Sequence, residues 1–181
     1  MGENTSRSAS VDEVDAIVQQ WRQERPELDP SPIALFGRVH RVYLRYQAVL
    51  NKTFSQYGLN SASFDVLTSL RRAGAPYRKT GTQLAAGSLL SSAGVTLRLD
   101  RLEEAGLIKR ERDHNDRRVV YSSLTDKGLE VIDRAIEAHL DAEAALLSGL
   151  SAKERSSLTE LLAKLEQSIV ATAAADDMHP L

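Results

Sequence analysis

The chain has 181 residues, no cysteine and a formal net charge of −2, with 42% hydrophobic and 27% charged residues. That length supports one substantial core, or one core with appended helices, and the lack of cysteine excludes disulfides and thiolate metal sites. No apolar run approaches bilayer length and residues 1–14 lack a signal peptide's apolar core, so a cytoplasmic (nucleoid-associated) protein with no membrane partner is expected.

Residues 1–10 are Ser-rich and polar and are expected to be disordered. In "VDEVDAIVQQWRQER", Val11, Val14, Val18 and Trp21 fall on one helical stripe with Ile17 beside it, and the three prolines of "PELDPSP" end that helix. A second helix is predicted from about Ile33 to residue 57, with Leu35, Phe36, Val39, Val42, Tyr43, Tyr46, Val49, Leu50 and Phe54 on a broad apolar face. Gly58 suits its left-handed C-terminal conformation. Ser61 is the predicted N-cap of "SFDVLTSLRRAG", which ends at Gly74.

A short helix, "GTQLAAGSLL", precedes a longer one, "SSAGVTLRLDRLEEAGL", terminated by Gly106. A hairpin between residues 107 and 124 follows, and Thr125 caps a helix over residues 126–147. "SAKE" at 151–154 has the form of a capping box and opens a last helix with Leu158, Leu161, Leu162, Leu165 and Ile169 inward. Residues 171–181 are expected to be a flexible tail. The fold class is therefore mainly α with a small β-hairpin wing: a winged helix-turn-helix domain plus a helical dimerisation region. The segments are residues 11–57 (N-terminal helices), 58–125 (the winged domain) and 126–170 (C-terminal helices).

Leu84, Leu90, Val95 and Leu99 can close a small core between the two short helices, with Ala85 at the crossing. Ser91, Ser92, Ala93, Gly94 and Thr96 are small or polar at the start of the second helix, where a recognition helix meets phosphates and base edges. A helical hairpin with an exposed Ser cluster is the alternative. In "IKRERDHNDRRVVYSSLT", Asp113 and Asp116 can hold a turn that projects Arg117 and Arg118, with Arg112 beside them, toward a minor groove or backbone. A weakly acidic chain can thus carry a local basic tip.

"VTLRLDRLEEAGLIKRERDHNDRRVVYSSLTDKG" resembles the MarR family of winged-helix repressors, and the resemblance spans residues 33–170. It implies a homodimer built from helices at 33–57, 126–147 and 152–170, bound to a pseudo-palindromic double-stranded DNA operator. Two charges sit among apolar residues: Asp65 beside Phe64, Val66 and Leu67, and Arg98 beside Val95, Leu99 and Leu102. A structural ion pair is one reading of them.

The other reading comes from the urate-responsive (HucR- and PecS-like) branch of the family. That branch carries an N-terminal helix with a Trp, an Asp on the scaffold helix, an Arg in the recognition helix and an Arg where the wing begins. Trp21, Asp65, Arg98 and Arg110 match it. The match implies a pocket in which an indole covers a planar ligand and guanidinium groups grip an anion. The same arginines could bind citrate or aconitate.

His40, His114, His139 and His179 lack metal-ligand spacing and are read as surface or interface residues. No phosphate loop or nucleophile elbow is present. The expected function is a ligand-responsive repressor, with no catalysis, metal or cofactor. A constitutive DNA-binding protein and a helical protein-interaction module are the alternatives.

Overall fold

The structure, a computed structural model, describes residues 12–86 and 95–177. The chain divides into two compact units, Met1–Lys52 and Thr53–Leu181.

The first unit holds α1 (Glu13–Glu24) and most of α2 (Ser31–Ser55). The Asp12 side chain caps α1 by accepting from the Val14 amide at 3.0 Å. Val14 and Val18, one turn apart, are buried, whereas Ile17 and Trp21 are 45% and 46% exposed. The buried stripe is thus narrower than expected and leaves the indole out. Asp29 accepts from the Ser31 amide at 2.9 Å and starts α2 two residues before Ile33, with Pro32 in its first turn. A Cβ at Gly37 would stand 3.0 Å from Val14 Cγ1, so glycine sets how closely α2 approaches α1. Arg38 and Arg41 of α2 form ion pairs with Asp12, Glu13 and Asp15 at the start of α1.

In the second unit, Gly58 takes a φ of 67° after α2, as expected of its C-terminal glycine. The cap of α3 (Ser61–Arg72) is Asn60, not Ser61: its side chain accepts from the Ser63 amide at 2.9 Å. Both residues are good caps, and the choice rests on where the chain turns into the helix. Phe64, Val66, Leu67 and Leu70 of α3 are buried, and Phe54 stacks on Phe64 with centroids 4.1 Å apart. The His139 ring packs beside both, 5.6 and 5.0 Å away with 14% of its side chain exposed, which places it in the packing and not at the surface.

The sheet follows, with β1 (Arg78–Thr80), then α4 (Gly81–Ala86), α5 (Val95–Glu104), β2 (Ile108–Arg112) and β3 (Val120–Leu124). Its order is β1-β3-β2, antiparallel throughout. The hairpin forms as expected and gains a third strand: Arg78–Thr80 pairs with Tyr121–Ser123. One face of the sheet packs on the helices through Ile108, Ser122 and Leu124, all buried.

Thr125 caps α6 (Asp126–Leu146) by accepting from the Gly128 amide at 3.0 Å. Ser151 and Glu154 cap α7 (Ala152–Asp177) reciprocally, with bonds of 2.8 Å from the Ser151 amide and 3.3 Å from the Glu154 amide. The helix continues past its expected end near residue 170. Of the face expected to point inward on α7, Leu158, Leu161, Leu162 and Ile169 are exposed in the single chain and Leu165 alone is half-buried. An apolar stripe records what a helix must cover, not whether its own chain covers it.

Candidate nucleic-acid interface and ligand-binding residues

Leu84 of α4 and Val95, Leu99 and Leu102 of α5 are buried, so the two helices share a core as the sequence implied. The start of α4 is fixed by a Thr-x-x-Gln box: the Thr80 amide donates to Gln83 Oε1 at 2.9 Å and the Gln83 amide to Thr80 Oγ1 at 3.2 Å. That box is visible in the sequence and was not among the expected caps. Thr96, in the first turn of α5, is exposed. Leu90, Ser91, Ser92, Ala93 and Gly94 lie outside the described residues, as do Val11 and His179.

The wing tip is ordered by its own aspartates. Asp113 Oδ1 accepts from the Asn115 and Asp116 amides at 2.8 and 3.0 Å, and Asp116 Oδ1 accepts from the Arg118 amide at 3.0 Å. The backbone bonds hold the Asp113 carboxyl below the usual aspartate range. Arg112, Arg117 and Arg118 are exposed, and among the described residues the wing's ion pairs are Lys109–Glu111 and those of Arg110, so these three cations take part in none. Arg78 of β1 lies over the Tyr121 ring at 4.5 Å, adding a cation to the outer face of the sheet that the sequence reading missed.

The chain leaving the wing is tied to the turn that follows α5. Thr125 Oγ1 donates to the Gly106 carbonyl at 2.8 Å and Lys127 Nζ to the Ala105 carbonyl at 2.8 Å. A Cβ on Gly128 would fall 1.9 Å from the Leu107 carbonyl oxygen, so this close passage of α6 over the strand entry admits only glycine.

At the root of β2, Arg110 Nε donates to Glu103 Oε2 at 2.7 Å, and the Arg110 amide donates to Glu103 Oε1 at 3.1 Å. Arg110 Nη2 lies 2.6 Å from Glu103 Oε2 and 2.7 Å from Asp100 Oδ1. Bonding to Arg110 holds the Glu103 carboxyl below the usual glutamate range, against a smaller effect of burial. Of the other ligand-site candidates, Asp65 on α3 and Arg98 on α5 are both half-buried, on helices that pack together. Arg98 is in no ion pair among the described residues. Trp21 belongs to the first unit. No group of three His, Cys, Asp or Glu among the described residues could hold a metal ion, and no helix there is long and apolar enough to cross a membrane.

Residues 59–120, which carry the helix pair and the wing as far as the start of β3, match the MarR family. The HTH-type transcriptional regulator PecS of Dickeya dadantii (strain 3937) is 42% identical over 158 residues, 87% of this chain and 95% of PecS. The chain belongs to the MarR family. This MarR-family protein is also similar to the regulator MhqR of Bacillus subtilis (strain 168), at 30% identity over 74% of this chain and 90% of MhqR. Its fold matches a MarR variant from E. coli complexed with operator DNA, at a TM-score of 0.66 and 29% identity, covering 76% of this chain and 97% of that one. It also matches Bordetella bronchiseptica BpsR, described for regulation of DNA binding by 6-hydroxynicotinic acid. There the TM-score is 0.63 and the identity 25%, covering 73% of this chain and 98% of BpsR. The protein is thus a winged helix-turn-helix, DNA-binding transcriptional regulator of the MarR family.

Proposed function

We propose that this protein is a dimeric repressor released from a pseudo-palindromic operator by a small anionic metabolite of the urate type. Residues 58–125 bind DNA through Ser91, Ser92, Ala93, Gly94 and Thr96 on the recognition helix and Arg112, Arg117 and Arg118 on the wing. Residues 11–57 and 126–170 supply the dimerisation helices. Asp65, Arg98 and Arg110 form the anion-responsive group, and Trp21 is the aromatic residue that the resemblance assigns to the ligand.

The observation that carries this reading is the placement of Arg98: half-buried on α5, the helix whose first turn exposes Thr96. A ligand that takes hold of Arg98 acts on the reading helix itself. Two recognition helices must match half-sites about one DNA turn apart, so a small displacement weakens both contacts. The ligand achieves this only by binding the displaced state more tightly. Similarity to BpsR, with its planar carboxylate effector, supports a carboxylate such as citrate or aconitate as the second reading. If Asp65 and Arg98 have only a structural role, the protein is a constitutive DNA binder.

The test uses a duplex that the protein selects from a random library and follows affinity by fluorescence anisotropy across urate and citrate titrations. Arg98→Ala and Trp21→Phe are expected to blunt the release seen with wild type. Equal release of all three proteins would place the ligand elsewhere.

A further inference from the structure

We infer that Glu103 is the group an anionic effector must displace to engage Arg110, so that the Glu103–Arg110 clasp sets the concentration at which effector binds. This rests on the ligand-responsive reading above and names its control. Two carboxylates already face the one guanidinium: Glu103 Oε2 at 2.6 Å from Nη2 and 2.7 Å from Nε, and Asp100 Oδ1 at 2.7 Å from Nη2. The cluster carries a net negative charge, so an incoming anion meets repulsion where a lone arginine would attract it. The exchange is nonetheless feasible. The side chains of Arg110, Glu103 and Asp100 are 31%, 38% and 49% exposed, and a carboxylate that swings out is rehydrated.

Displacement also carries a structural consequence. The second oxygen of Glu103 accepts from the Arg110 backbone amide at 3.1 Å, so one carboxylate ties both the side chain and the main chain of β2 to the end of α5. Releasing it removes the bond between the recognition helix and the β2 main chain and leaves Asp100 as the helix's partner for the guanidinium. Anion exchange at one guanidinium thereby becomes a change in how the wing is carried.

Titration calorimetry of urate and of citrate into the full-length wild type, Glu103→Gln and Glu104→Gln tests this. Glu104 is exposed, adjacent and outside the clasp, so its variant removes the same charge without touching Arg110. Glu103→Gln is expected to bind the effective anion about three- to fivefold more tightly, the range of a half-exposed ion pair, with Glu104→Gln unchanged. If Glu103→Gln does not fold, Asp100→Asn removes the other carboxylate from the same guanidinium and carries the same expectation. If wild type binds an anion and these variants bind it no better, the clasp is refuted while the ligand reading stands. If neither anion binds wild type or the clasp variants, both readings fall.

Discussion

Glu103, at the end of α5, spans Arg110 of β2 with both its oxygens, one on the guanidinium and one on the backbone amide. Recognition helix and wing are therefore tied through both side chain and main chain near the turn between them, with Asp100 of α5 as a second partner of the same guanidinium. The wing is not a loose appendage carrying charge.

This tie has a pH dependence of known sign. Because the Glu103 carboxyl is held below its ordinary value in the folded protein, its contribution is fully present above the ordinary glutamate range. It is lost as pH falls through that range toward the depressed folded value. Glu103→Gln is thus expected to lower the melting temperature at neutral pH, and the difference from wild type should shrink toward zero in acid. Thermal melts of both proteins between pH 7 and pH 3 check this, and a difference independent of pH would contradict it.

Gly128→Ala places a methyl group 1.9 Å from the Leu107 carbonyl oxygen, a backbone atom that cannot rotate away. Either α6 must lift or β2 must shift, at a cost of about 3 kcal/mol. Denaturant unfolding is expected to show a lower midpoint for this variant. Gly149→Ala, at a position with open space around the added atom, should show no comparable loss.

At the wing tip, charge and order can be separated. Arg117→Ala or Arg118→Ala should weaken DNA binding and lower the slope of log affinity against log salt by about one each, as loss of a phosphate contact requires. Asp113→Ala removes two turn bonds and no cation. It is expected to weaken binding while leaving the salt slope intact. Unchanged affinity in all three variants would show that the tip stays in solvent.

The exposed stripe of α7 should be the dimer contact. Leu161 is 63% exposed and Val170 62%, with Leu158, Leu162 and Ile169 also open to solvent. A continuous apolar face of this kind marks an interface. Sedimentation at micromolar concentration is expected to show a dimer for wild type and a monomer for Leu161→Glu combined with Leu162→Glu. The monomer should bind the operator far more weakly, because it spans only one half-site. A monomeric wild type with full affinity would refute the proposal.

What the sequence determined by itself was local. Apolar spacing located the helices, Thr125 and the Ser151–Glu154 box capped theirs, and the aspartates of the wing tip made the bonds their spacing allows. Each involves neighbours within a turn or two, where the short stretch of chain already specifies the geometry. Tertiary structure decided what depends on distant partners. Arg78–Thr80 is too short to show alternation and becomes a strand only because β3, more than forty residues on, offers an open edge. Trp21 reads as part of an apolar stripe, yet packing buried Val14 and Val18 and left the indole half-exposed. The partners of Arg110 were equally hidden. Glutamates and aspartates are plentiful nearby, and only the turn at Gly106, with its φ of 69°, folds β2 back so that Asp100 and Glu103 meet one guanidinium.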